Sequence, residues 1–485
     1  MKNLLMLVSA LVLSYPVYGQ DRFPVPERSV YRITGDLDLN GATITLTEGS
    51  TVDLSDGTLR NGTLVGNRSS LTVPQDREVL DGVVLTGTWQ GKVCDRWFRL
   101  DGRSAYQVLS GLMRFNEVHF DRSEYWLDEW RPIYLNGESM QVYGHGVRIF
   151  LPADKGDTEQ TSWGPRYRKE CLFCPPLDGN LSRGVYHFRD MSIEDNARVI
   201  LQDGWGEDPD QFRIYYYFET IGRELVFENI SSDGGGILVK VYNFWQHIDR
   251  IEMNGCIVKA GQFALEVGNL TREGYPGGSC GDILLRDCRF YQYPCQPYVG
   301  LLSVVGDVLT ERMLIENCFF DASEKDGNLE LSSVRHVVFR NNTAINQFLN
   351  SYQFPRIEKY DILNNTFYFR KHRSKHSFNF GGEEVIFKNN RLVYEVDDVG
   401  FITVVPQVKS LEMDKNVFDF SRVKEITEDR TAIAMKGAAL TGLKVRMFKN
   451  KVVPPPGGTH HRIIFRLPAR MEGSVGNQLE GVLIR

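Results

Sequence analysis

From Val239 onward, apolar and polar residues alternate in short runs that can be laid on one another. One inward column reads Val239, Leu265, Leu302, Leu329, Leu349, Phe378, Ile402, Ile433 and Ile464. Two residues on, a second reads Val241, Val267, Val304, Leu331, Ser351, Phe380, Val404, Met435 and Arg466. Period-two alternation with one apolar face predicts β-strands, and Arg466 breaks the column near the C-terminus. Between these runs an Asn or Asp recurs after another short strand, at Asn229, Asn254, Asp287, Asn317, Asn342, Asn365, Asn390, Asn416, Asn450 and Asn477, at intervals of 23 to 34 residues. The shorter intervals suit one coil of three strands, the longer ones a coil with an inserted loop. Stacked asparagines predict a single ladder of side-chain amides at a tight turn.

Upstream, Leu37–Leu46 and Leu59–Leu64 repeat this grammar faster, with Asn40, Asn61 and Asp81 spaced 21 and 20 residues apart. That predicts narrower coils over residues 20–96, continuous with a wider solenoid over 97–485. Between Asp101 and Arg114, apolar Tyr106, Leu109, Leu112 and Met113 fall at helical spacing, which predicts a short N-terminal capping helix. The expected fold is all-β: a right-handed single-stranded parallel β-helix, in which each coil contacts only its neighbours, so that the length of 485 residues needs no second core.

Composition narrows the setting. Residues 1–19, with Lys2, the apolar run Leu4 to Leu13 and small residues before Gln20, read as a secretory signal peptide, which predicts an extracellular or periplasmic protein. No later stretch reaches the roughly 20 apolar residues of a membrane-spanning helix. With 56 Lys plus Arg against 62 Asp plus Glu, the net charge of −6 disfavours a nucleic-acid partner, whose phosphates call for clustered positive charge. The eight cysteines are too few for a disulfide framework in so long a chain; Cys171 and Cys174, followed by Pro175 and Pro176, read as a loop staple or free thiols.

The run Trp97-Phe98, Asp101, the helix ending near Phe115, Val118 through Tyr125, and Val142-Tyr143-Gly144-His145-Gly146-Val147 resembles the pectate-lyase superfamily of parallel β-helices. The match begins near Trp97, and its motifs specify architecture. The resemblance implies a carbohydrate-active protein, since that superfamily holds polysaccharide lyases, glycoside hydrolases, tailspikes and epimerases, and it implies a glycan lying along one sheet. It also makes calcium a compatible cofactor, although no ligand spacing in the chain supports a metal site. Gly144-His145-Gly146 is read as turn chemistry, as is Asp233 within Ser231-Ser232-Asp233-Gly234.

The outward column of the aligned strands is therefore the place to seek chemistry. It reads Lys240, Glu266, Ser303, Glu330, Asn350, Asn379, Thr403, Ala434 and Phe465. Neighbouring rungs lie about 4.8 Å apart, so Glu266 and Glu330 stand roughly 9.6 Å apart. That suits the acid and base of an inverting glycosidase, about 6.5–9.5 Å apart. A lyase would instead use Lys240 or Tyr242 as the base that removes the proton α to a uronate carboxylate. A solvated Lys240–Glu266 ion pair is the structural alternative. Long insertions from Ala153 to Ser182, Asp195 to Phe212 and Asn269 to Cys280 carry candidate substrate-binding groups: Trp163, Arg166, Arg168, Lys169 and Trp205, with Tyr217 on an adjoining rung. The basic run from Arg370 through Arg373 to His376, and the later His460-His461-Arg462, are candidates for the border of the same cleft. The expected function is a secreted polysaccharide lyase or glycoside hydrolase acting on uronate-containing polysaccharide. A non-catalytic glycan-binding or adhesive solenoid is the competing reading.

Overall fold

The computed structural model describes residues 23–484 apart from 101–103, 155, 162–163, 176–183, 196–213, 220–221, 235, 245, 262, 272, 275–276, 293–299, 324–326, 351–356, 371–377, 397–401, 405–406, 427–429, 436–441, 458–462, 467–470 and 480–481. The expected leader, residues 1–19, lies outside the described residues.

A strand with one apolar face buries it by stacking on copies of itself, and the chain does so coil after coil. From Ile237 each coil contributes three strands, as in Ile237–Asn243, His247–Asn254 and Ile257–Ala260, followed by Leu265–Asn269, Ser279–Arg286 and Arg289–Gln292. Equivalent strands pair in parallel and in register, Val239 with Leu265 and Leu265 with Leu302 in the first ladder. Ile251, Ile283 and Met313 align in the second, and Val258, Phe290 and Phe320 in the third. The fold is a parallel β-helix. Its core is one buried cluster running from Tyr31 to Phe465. Phenylalanines stack along it, with ring centroids 5.1 Å apart for Phe290 and Phe320, 5.8 Å for Phe320 and Phe339, and 6.0 Å for Phe339 and Phe367.

The N-terminal strands Val30–Asp38, Thr43–Thr45, Thr51–Thr72 and Leu80–Trp89 form a separate parallel sheet. Val30 pairs with Thr51 and Leu59 with Leu80, the short period expected there. The helix, Ala105–Leu112, buries Val108, Leu109 and Leu112 and packs against Leu80–Trp89 and Ile133–Tyr134.

Two expectations need correction. The asparagine series is not one column: most of its members fall in two adjacent columns, and Asn254 lies in neither, ending its strand just before the corner. Asn229, Gly255, Asp287, Asn317, Asn341, Asn364, Asn389, Lys415, Lys449 and Gly476 all have positive φ, between 51° and 68°, and form the left-handed corner between the second and third strands. Asn and Gly tolerate that conformation best. The residue after each faces inward: Ile230, Cys256, Cys288, Cys318, then Asn342, Asn365, Asn390, Asn416 and Asn450, all buried, and Asn477. Asn317 is exposed, whereas Asn342 belongs to a buried ladder that begins where its Oδ1 accepts the Cys318 backbone N–H at 2.7 Å. From Asn365 on, each side chain donates to the next, Asn365 to Asn390 at 3.0 Å, Asn390 to Asn416 at 3.1 Å and Asn416 to Asn450 at 2.9 Å. Each also donates to a carbonyl of the preceding coil, as Asn416 does to Phe387 at 2.6 Å.

The second correction concerns the expected loop from Ala153 to Ser182. It contains the antiparallel strands Thr158–Thr161 and Gly164–Cys174, the latter adding to the first ladder beside Ile214–Glu219. Cys171 and Cys174 are disulfide-bonded, and they sit on that strand, not in a loop.

Candidate functional site

Val239 and Val241 face the core, which turns Lys240 and Tyr242 outward on the first ladder. The pairing places Glu219 beside Lys240, Lys240 beside Glu266, Glu266 beside Ser303, Ser303 beside Glu330, and Glu330 beside Asn350, with Asn379 and Thr403 continuing the column.

Outward here does not mean solvated. Lys240 is 2 % exposed. Its ammonium lies 4.1 Å from the centre of the Tyr216 ring and 4.0 Å from that of Tyr242. It donates to the Tyr216 hydroxyl at 2.7 Å and pairs with Glu266 Oε2 at 3.4 Å. The Tyr242 hydroxyl donates to Glu266 Oε1 at 2.9 Å, so both oxygens of that carboxylate face a donor. Tyr242 reaches this position because its ring lies across Gly268, where an added Cβ would stand 3.0 Å from a ring carbon. The solvated ion pair offered as the structural alternative is therefore a buried one.

Glu330 has the opposite environment. Burial raises its carboxyl above the usual range, the Glu266 charge raises it further, and a hydrogen bond with Ser303 opposes the shift. Its Oε1 is buried with no hydrogen-bond partner among the described residues. Two carboxyls on one column thus sit in contrasting surroundings, Glu330 desolvated with one oxygen unpartnered and Glu266 between two donors, an arrangement suited to separate acid and base roles.

The remaining sequence candidates do not gather here as a set. Tyr217 points inward, wholly buried, and donates to Asp195 at 3.0 Å, so it is a core residue and touches no ligand from outside. Its neighbour Tyr216, not singled out from sequence, is the tyrosine that faces the site. The run Ile214-Tyr215-Tyr216-Tyr217-Phe218 has no alternation from which its register could be read. Arg166, Arg168 and Lys169 lie on the strand Gly164–Cys174. Trp163, Trp205 and Arg373 lie outside the described residues, as do His460, His461 and Arg462. Arg370 is exposed after the third-ladder strand Thr366–Phe369, paired with Glu395 at 3.4 Å and lying 5.1 Å from the Tyr368 ring centre. Asp233 is salt-bridged to Lys259 at 2.7 Å.

Beside the site, on the same outer face, Cys171, Cys174, Tyr216 and Ile237 form a small buried cluster apart from the main core, flanked by Tyr134 and Phe263. It is the wall against which Tyr216 holds Lys240. No family model, curated protein or solved structure matches this chain.

Proposed function

We propose that the protein is a glycoside hydrolase that cleaves a polysaccharide lying along the outward column of the first ladder, with Glu330 as general acid and Glu266 as base. The observation that carries this reading is the contrast between the two carboxyls, Glu330 desolvated beside a like charge with one oxygen unpartnered among the described residues, Glu266 contacted by the Lys240 ammonium and the Tyr242 hydroxyl. A protonated Glu330 gives its proton to the leaving glycosidic oxygen. Glu266 takes a proton from the attacking water. Their backbones are two rungs, roughly 9.6 Å, apart, and that favours water between the groups and inversion at the anomeric carbon. Lys240 is enclosed between two rings and committed to Glu266, which argues against it as the base of a lyase. The amides of Asn350 and Asn379 extend the column with groups suited to sugar hydroxyls. The leader expected from residues 1–19 would place this activity outside the cytoplasm.

Incubation with a panel of neutral and uronate-containing polysaccharides tests the reading. New reducing ends without unsaturated uronates are expected, and Glu330→Gln and Glu266→Gln each lower the rate by about 10²–10⁴-fold. Unsaturated uronate products would replace the hydrolase with a lyase. Binding without cleavage across the panel would leave an adhesive solenoid.

A further inference from the structure

On another face, the first wide coils carry an imidazole pair that the proposed hydrolase does not use. His119 and Tyr143 stand in register on adjacent strands, their rings stacked with centroids 4.6 Å apart. His145 follows in the turn Gly144-His145-Gly146, where its φ of 50° turns the chain sharply. The turn is held in place because Gly144 approaches the next coil so closely that an added Cβ would stand 2.3 Å from the Asp190 carbonyl oxygen. His145 thereby returns over His119, and His119 Nδ1 meets His145 Nε2 at 3.3 Å. The other nitrogen of His119, Nε2, lies 2.7 Å from Glu117 Oε1. His145 is exposed, and the His119 side chain retains 19 % of its accessible surface.

We infer that His119 and His145 form a binding site for a divalent transition-metal ion of the zinc, copper or nickel class, with Glu117 orienting His119. Two imidazole nitrogens on one tetrahedral ion, each about 2.0–2.1 Å from it, stand about 3.3–3.4 Å apart. The pair already has that separation, and a rotation of the exposed His145 ring aims both lone pairs at one ion. The Glu117 contact matches the carboxylate–imidazole pairing that fixes tautomer and ring orientation in metal sites. Imidazole ligands select this class over calcium and magnesium, which prefer oxygen. Such an ion ties the turn at residues 144–146 to the preceding coil and leaves outward positions for water or a ligand group.

The nearby Cys94, Asp95 and Asp121 are the alternative cluster, and their chemistry is already committed. Asp95 accepts the backbone N–H groups of Asp121 and Arg122 and the Tyr125 hydroxyl, at 2.8, 3.0 and 2.8 Å. The Cys94 thiol is pushed up to about 12 by burial and by its hydrogen bond to Asp121, so it is held protonated.

The test is equilibrium dialysis of chelator-treated full-length protein against Zn²⁺, with melting followed in parallel. The expected result is one Zn²⁺ per chain and a higher Tm in its presence. His145→Asn, which keeps a residue tolerant of the left-handed turn, should weaken binding at least tenfold and abolish the Tm rise. Glu117→Gln should weaken it by about 10–100-fold. Glu330→Gln should bind as the wild type does, which separates this site from the proposed hydrolase. No Zn²⁺ uptake by the wild type, or unchanged affinity in His145→Asn, would overturn the inference.

Discussion

Two outward faces of the same coils handle charge in opposite ways. On the second ladder Arg312 makes a two-pronged contact with Asp282 at 3.0 and 2.9 Å, Arg286 pairs with Glu252 at 3.1 Å, Arg340 with Glu316 at 2.7 Å, and Lys388 with Glu412 at 2.6 Å. The basic members of these pairs keep 32–49 % of their side-chain surface, so that even where the acid is covered, as Glu252 is at 13 %, its cation reaches water. On the first ladder Lys240 and Glu266 retain only 3 % and 12 % of their side-chain surface. Rung spacing and strand direction are shared, so neither explains the contrast. What differs is the neighbourhood: long flexible side chains on one face, Tyr216, Tyr242 and an inserted strand on the other. A charge reached by water costs little to hold and little to lose, whereas a buried pair is expensive to break.

Removing one charge from each face sharpens that contrast most directly. Lys240→Ala leaves the largely buried Glu266 carboxylate without its ion-pair partner, and urea unfolding should register a loss of about 3–5 kcal/mol. A loss below that of an ordinary surface substitution would break the comparison. Next in size is the inner corner between the second and third ladders. Asn416→Ala leaves its ladder partners unpaired and should cost about 1–3 kcal/mol, while Asn317→Gly, at the exposed left-handed corner, should shift stability by no more than about 0.5 kcal/mol. Equal effects would merge the two columns again.

Glu330→Gln should give a smaller change of opposite sign. Burial raises the Glu330 carboxyl in the folded chain, so the fold holds this proton more tightly than the unfolded chain does. Its contribution is full below the ordinary glutamate range and is lost as pH rises through the raised value. Gln does not titrate, so the variant should melt higher than wild type at neutral pH, with the difference closing in acid. A wild type that melts higher at neutral pH would remove Glu330 as the proton donor. The smallest effect belongs to the solvated face, where Arg312→Ala should cost about 0.2–1 kcal/mol and less in high salt.

The corner shows how far a pattern can mislead. Asn317 and Asn342 look equivalent in sequence, each following a strand and preceding a third-ladder residue, Phe319 or Thr343, that pairs in register. One is the left-handed residue and the other the inward one, because Cys318 occupies in its coil the place that Asn342 takes in the next. Thiols fill the corner in three successive coils, donating to carbonyls such as Arg286 O from Cys288 at 3.1 Å, before amides take over. Both side chains satisfy the turn, so the step between them leaves no mark on the period.

By itself the sequence determined the parallel β-helix and the column from Lys240 through Glu266 and Ser303 to Glu330, because strands of period two can be aligned on their inward valines and leucines without knowing the coil's path. The burial of Lys240, the turning of Tyr216 rather than Tyr217 toward it, and the return of His145 over His119 emerge only once the coils are stacked. Each of these depends on groups brought together across coils, 24 residues apart for Lys240 and Tyr216 and 26 for His119 and His145. Alternation says which way a side chain leaves its strand. What it meets there depends on the insertions and turns of neighbouring coils, and those follow no period.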